Sequence, residues 1–322
     1  MNRLSTTLLK TARKSYAIVN PDSSVFGRNW KLNSNKEYSN NLIYNKLTAD
    51  SPCLIGRFGA NEIRALLNYW GIQNKSTKRK TSKFIHGQIP PWWWEKSALN
   101  QMMRGAGFFP ASLKQLEKFC QLMLEILPEI DILGSWLKQE QFFQESLKNA
   151  NRVVLEDIEP FFATNPWTKA LKGKTVLIVH PFQKSIESQY KKRSLLFEND
   201  LLPEFNLKTI KAVQTIAGEK SEFNTWFDAL ESMKTEIEKT TFDIAIIGCG
   251  AYGLPLAAHV KKLGKKAIHL AGVTQLLFGI KGKRWEEYVV WPYKNLMNEH
   301  WVRPLEEETP SKAENVEGSC YW

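Results

Sequence analysis

The sequence predicts an α/β fold of the Rossmann-like kind, a mostly parallel sheet with helices on both faces plus a helical insertion, and three observations predict it. Short Val/Ile/Leu-rich runs alternate with stretches of helical periodicity, as in a parallel sheet covered on both sides. Gly248-Cys249-Gly250 sits between a buried strand and a helix, where such a sheet opens a ligand crevice. A chain of 322 residues with 43% hydrophobic and 24% charged residues has material for a large core, which excludes disorder throughout.

In chain order, residues 1–50 are polar and rich in Asn and Ser, and read as an N-terminal extension with one or two short helices. Leu4, Leu8, Leu9 and Ala12 form one face of the first, with Lys10, Arg13 and Lys14 around it, a pattern suited to contact with a membrane surface. Met1 to Val19 is basic but lacks a long apolar stretch, so it fits neither a signal peptide nor a transmembrane helix, and the expected location is the cytoplasm, peripheral to the inner membrane face.

The Rossmann-like domain is expected over residues 51–298, with the helical insertion at about 84–128. It opens with a strand at Pro52–Phe58 and a helix at Asn61–Trp70, whose Ile63, Leu66, Leu67 and Trp70 recur at helical spacing. From Pro90 to Leu127 the pattern is helical, split by Gly105, Gly107 and Pro110. Strands then follow at Ile130–Gly134, Arg152–Leu155, Thr175–Val179, Thr209–Val213, Phe242–Gly248 and Lys266–Leu270. Helices are expected between them at Gln139–Ala150, Ser185–Phe197, Glu222–Glu238 and Leu254–Leu263. The tail, 299–322, reads as irregular, yet Cys320-Tyr321-Trp322 is too aromatic to be purely solvated.

The net charge of +11 favours an anionic partner: nucleic acid, an acidic membrane face or a phosphate-bearing small molecule. Lys75, Lys78, Arg79, Lys80 and Lys83 make a basic, Ser/Thr-rich loop. Cys53, Cys120, Cys249 and Cys320 have neither disulfide nor zinc spacing. Twelve Trp is a high count, and Trp92-Trp93-Trp94 suggests a surface for a sugar ring or a lipid headgroup.

Four places carry candidate chemistry. Gly248 to Gly253 matches G-x-G-x-x-G, whose glycines permit a tight turn and close approach of a pyrophosphate, or simply let helix and sheet pack closely. The acid that a dinucleotide site carries about 20 residues on is absent, since the chain there reads Ile268-His269-Leu270. That disfavours NAD but not a phosphate or sugar at Gly248, Gly250 and Tyr252. At Gly56-Arg57-Phe58-Gly59-Ala60-Asn61-Glu62, Arg57 can pair with phosphate, Gly59 admits a ligand to the backbone, and Glu62 can accept sugar hydroxyls or hold a cation; an Arg57–Glu62 ion pair fixing the turn is the plainer reading. Glu156, Asp157 and Glu159 crowd a strand end, a source of perturbed pKa values. His180 ends another strand.

Together these residues resemble the GT-D glycosyltransferases, a Rossmann-like group that builds bacterial surface glycans. The stretch Ile55–Glu62 is similar to that family's Arg-Phe-Gly-Asp-Gly-Glu, and Phe242–Gly250 to its late strand and glycine turn. The resemblance implies transfer of a sugar from a nucleoside-diphosphate donor to a glycan acceptor, which can be lipid-linked, with no nucleic-acid partner. Taken with the residues above, this gives Arg57, Gly59, Asn61, His180, Gly248, Gly250, Tyr252 and Arg284 as expected donor contacts, and Glu62 and Asp157 as expected catalytic groups. The family's Asp-x-Glu pair, taken to hold Mn or Mg, falls on Ala60 and Glu62, so a cation here is expected to need Glu62 with Glu156. Ala60 leaves open an accessory protein that binds a nucleotide-sugar or glycan without catalysis, and the glycine turn an NAD(P)-dependent oxidoreductase.

Overall fold

The computed structural model describes residues 3–29, 32–74, 79–216, 219, 221–289, 291–311, 313–315 and 319–322. The helices of the first half are α1 (Arg3–Val19), α2 (Lys36–Thr48), α3 (Ala60–Gln73), α4 (Lys80–Ile85), α5 (Lys96–Ala106) and α6 (Leu113–Ile126). Those of the second half are α7 (Gln183–Tyr190), α8 (Arg193–Leu196), α9 (Trp226–Lys239), α10 (Gly253–Lys262), α11 (Thr274–Leu277) and α12 (Lys283–Glu286).

Seven strands are found among the described residues: β1 (Cys53–Gly56), β2 (Ile132–Ser135), β3 (Asn151–Val154), β4 (Thr175–His180), β5 (Asn206–Lys211), β6 (Ile244–Ile247) and β7 (Lys266–His269). They form one sheet in the order β3-β2-β1-β7-β6-β4-β5, every pairing parallel.

The connections divide by direction. Those that step toward β3 (β1 to β2, β2 to β3, β5 to β6, β6 to β7) place α3, α5, α6, Phe143, Leu147, α9 and α10 in one layer, over Leu54, Leu133, Val179 and Ile247. Those that step the other way (β3 to β4, β4 to β5) contribute Trp167 and α7 to the opposite layer, over Ile55, Ile178 and Ile268. This is the division that crossovers of a single hand must give.

Helix α2 belongs to that second layer. Ile43 and Leu47 are buried against the sheet, and the fully buried Asp157 accepts hydrogen bonds from Ser34 Oγ at 2.6 Å and from the Asn35 amide at 2.7 Å, at the N-terminus of α2. Lys36 approaches the same carboxylate at 3.7 Å. The tail is tied down similarly: buried Glu308 accepts from the amides of Lys184 (2.7 Å) and Ser185 (3.2 Å) and so caps α7.

Several expectations are corrected. Gln139–Ala150 is no α-helix; its first part is a 3-10 helix, Lys138–Phe143, in which buried Glu140 accepts from the amides of Trp136 and Leu137 and holds the chain to the end of β2. β5 starts upstream of the expected Thr209–Val213 and ends at Lys211, since Ala212 and Val213 lie beyond the strand and Val213 lines the cavity over the strand ends. On α1, Leu4 (74% exposed) and Leu8 (64%) are exposed, while Leu9 and Ala12 are half-buried. Trp92 and Trp93 pack on Phe84 at 5.6 and 5.1 Å, and Trp94 donates to Glu117. Of the basic loop, Lys75 and Lys78 lie outside the described residues, while Lys80 and Lys83 are on α4. All four cysteines are buried free thiols. No described helix is long and apolar enough to cross a membrane.

Candidate functional site

A cavity of about 460 Å³ opens over the C-terminal ends of the strands, with walls from the segment after each of the seven. Such a sheet can bind a ligand only there, because the loops that leave adjacent strands toward opposite layers part and expose helix N-termini. Every residue singled out above lines it except Asp157: Arg57, Gly59, Asn61, Glu62, Glu156, His180, Gly248, Gly250, Tyr252 and Arg284. Asp157 is instead committed to the N-terminus of α2, which removes it from the cavity chemistry.

Arg57 is the chief cation. It follows β1 directly, and its guanidinium lies over the Trp136 ring, 5.0 Å from the centroid. The Trp136 indole is itself fixed by donating to the Phe58 carbonyl at 3.0 Å. Burial pulls the Arg57 guanidinium below its ordinary value, opposed by the charge of Glu62. No contact ion pair joins the two, so the plainer reading of that turn fails; among the described residues Arg57 has no hydrogen-bonding partner. A partly desolvated guanidinium that has the Glu62 charge nearby but no hydrogen-bonded partner can still take a ligand's oxygens.

Glu62 folds back over the N-terminus of α3. Its carboxylate occupies the space that a side chain at Gly59 would need, and burial pushes it upward. Asn61 packs against Gly105 of α5. Glu156 is ion-paired with Arg28, and its Oε2 is a buried acceptor with no partner. Arg284 is held by the tail: Nη1 donates to the Tyr321 hydroxyl at 3.1 Å, and its amide donates to the Cys320 carbonyl. The Tyr252 ring is stacked on Trp226 at 4.7 Å and is 2% exposed, so it is core as much as wall.

The G-x-G-x-x-G turn has its own physical account. Gly250 has φ +57°, which favours glycine. Gly248 and Gly253 are required by packing: a Cβ on Gly248 would lie 2.5 Å from Thr274 Oγ1 and 2.6 Å from both the Ala271 carbonyl oxygen and His180 Cδ2, and one on Gly253 would overlap the His269 imidazole. Gly253 therefore makes room for His269, and Gly248 for His180 together with the turn after β7.

Sequence reasoning names Glu159 only among three crowded carboxylates, and misses several other wall residues. Glu159 is buried at the cavity edge, its Oε2 accepting from the Tyr293 hydroxyl at 2.5 Å; burial first, then the neighbouring Glu156, pushes it up to about 8, against Lys36, Arg57 and the Tyr293 bond. His269 stands where the dinucleotide acid would be, a position noticed only for what it lacks. Trp136, Tyr288 and Tyr293 carry no local signal, Trp322 signals only as part of the aromatic end of the tail, and Arg28 arrives from the N-terminal segment.

Glu62 and Glu156 share the cavity, but among the described residues no group of three His, Cys, Asp or Glu stands together as a metal-ligand set. No family model, curated protein or solved structure matches the chain. The molecule has a Rossmann-like α/β fold, consistent with nucleotide-binding enzymes in general.

Proposed function

We propose that the protein is a glycosyltransferase that binds a nucleoside-diphosphate sugar across the strand ends and passes the sugar to a hydroxyl of a surface-glycan acceptor. The observation that carries this reading is Arg57, a half-buried guanidinium braced on Trp136 beside the N-terminus of α3, with no hydrogen-bonding partner among the described residues. That arrangement suits a diphosphate. In the reaction, the bond from the sugar C1 to the phosphate oxygen breaks and the diphosphate leaves with the electron pair. The acceptor oxygen bonds to C1 and gives up its proton. Arg57 stabilises the departing charge, a contribution that grows toward the transition state. Glu159, in place of Asp157, is the carboxylate at hand to take the proton, with Tyr293 holding its other oxygen.

A second reading, a binding protein without catalysis, is favoured by Ala60. Thermal-shift titration with pyrophosphate, UDP, GDP, dTDP and NAD tests the site. A diphosphate at 100 times its Kd should stabilise the wild type by about 2.7 kcal/mol, and Arg57→Ala should lose that stabilisation. Arg57→Lys should restore it only in part, because ammonium lacks the planar fork. Stabilisation by NAD alone overturns the transferase reading. Diphosphate binding without sugar transfer or donor hydrolysis, in wild type and Glu159→Gln alike, favours the second.

A further inference from the structure

His180 and His269 end β4 and β7, the two strands that flank β6. Ile247, the last residue of β6, pairs with Val179 on one side and His269 on the other. Side chains alternate along a strand, so His269 lies on the face of Val179 and Ile247 and His180 on the opposite face. The two imidazoles thus reach the end of β6 from opposite sides of the sheet, and both line the cavity.

The backbone fixes their tautomers in opposite senses. The Phe182 amide donates to His180 Nδ1 at 3.0 Å, which leaves the ring proton on Nε2. His269 Nδ1 lies 3.2 Å from the Ile247 carbonyl, an acceptor only, so the proton is on Nδ1 and Nε2 is a bare acceptor. Neither Nε2 has a hydrogen-bonding partner among the described residues, and neither is sealed from the cavity. Burial pulls both rings down to about 3, so both stay neutral and the tautomers persist. Each histidine is 3% exposed, and a glycine is kept beside each to admit its ring.

One donor and one acceptor, both uncharged and preset, match the hydroxyls of a sugar ring better than an anion. Position narrows the choice. The unit β6, glycine turn, α10, β7 is the one in which a dinucleotide fold sets a carboxylate at the end of the second strand to accept from ribose, and His269 holds that place. We propose that His269 Nε2 and His180 Nε2–H bind the ribose hydroxyls of the nucleotide, with the acceptor role of the missing acid taken by a neutral imidazole. This rests on the diphosphate reading of the cavity, and it adds a requirement for ribose that the reading itself does not make.

Calorimetric titration of the full chain with UDP, GDP and their 2′-deoxy and 3′-deoxy counterparts tests it, with inorganic pyrophosphate as the probe that has no sugar. Wild type should bind at least one deoxy analogue about tenfold more weakly than the ribonucleotide, the size of one lost hydrogen bond. His269→Phe and His180→Phe, ring-for-ring changes, should weaken ribonucleotide binding similarly while leaving pyrophosphate binding unchanged. In one of them the ribo-to-deoxy preference should disappear, as a direct contact demands. The ligand-side comparison stands even if a variant fails to fold. Equal binding of ribo and deoxy forms by wild type overturns the histidine proposal, and Arg57-dependent pyrophosphate binding in the same series leaves the diphosphate site intact. Failure of every nucleotide and of pyrophosphate overturns both.

Discussion

At the scale of the residue, Glu159 carries a measurable signature. Burial raises its carboxyl from 4.5 to about 8, so it holds a proton in the fold over a range in which the unfolded chain has lost it. The folded state then binds more protons, and stability falls as pH rises from about 4.5 to about 8. Below that window the contribution is fully present. Glu159→Gln mimics the protonated form and should remove this part of the slope. The variant should melt with wild type near pH 4 and above it at pH 9, by thermal denaturation across pH; parallel curves would refute the assignment. Turnover is expected to go the other way, rising in wild type through pH 8 as the carboxylate becomes able to take a proton. The signal was half legible: the three crowded carboxylates were visible in the sequence, but not which of them is turned inward. That depends on α2, whose N-terminus claims Asp157, and on Arg28, which pairs with Glu156.

At the scale of the element, the glycine turn and α10 were legible as strand, turn and helix, and the reason for their glycines was not. The motif suggests room for a ligand, whereas Gly253 gives room to His269 of β7, and Gly248 to His180 of β4 and to Ala271 and Thr274 of the segment after β7. Gly253→Ala tests this. At the first residue of a helix, alanine should gain up to about 1 kcal/mol in propensity. Overlap with the His269 ring should cost about 1–3 kcal/mol and outweigh it. Urea denaturation is expected to show net destabilisation, and the loss should shrink in the Gly253→Ala/His269→Ala double variant. A stabilised single variant would mean that the ring moves aside freely. Elsewhere, continuous apolar strands buried on both faces were easy to read. The exposed edge strand β5 was misplaced because its own residues alternate while the apolar residues after it leave the sheet.

For the whole molecule, the parallel sheet and its two helical layers follow from the alternation of periodicities, since each short strand must be followed by a covering segment. What alternation does not convey is which distant pieces complete the layers. Helix α2 covers one face through Ile43 and Leu47, each fully buried side chain contributing roughly 1.5–3 kcal/mol. Its removal would also leave the Asp157 carboxylate buried without its donors, a further cost of several kcal/mol. Deletion of residues 1–50 is therefore expected to yield protein that does not unfold cooperatively, while deletion of 1–19, which removes only α1, should leave a cooperative transition, as read by circular dichroism on heating. A stable, cooperative 51–322 fragment would show that the sheet needs no cover from α2.

The strand order has one more consequence. β1 and β7, the first and last strands of the chain, lie side by side at the middle of the sheet, so it consists of two locally wound halves, β3-β2-β1 and β7-β6-β4-β5, joined along a single seam. Pairing across that seam closes a longer loop than any other strand pairing among the described residues, the kind of contact that forms slowly. The cavity straddles it, with Arg57 and Glu159 on one side and His180, Gly248 and His269 on the other. A nucleotide seated there would act as a clasp, holding shut the joint that folding makes last and that unfolding must open.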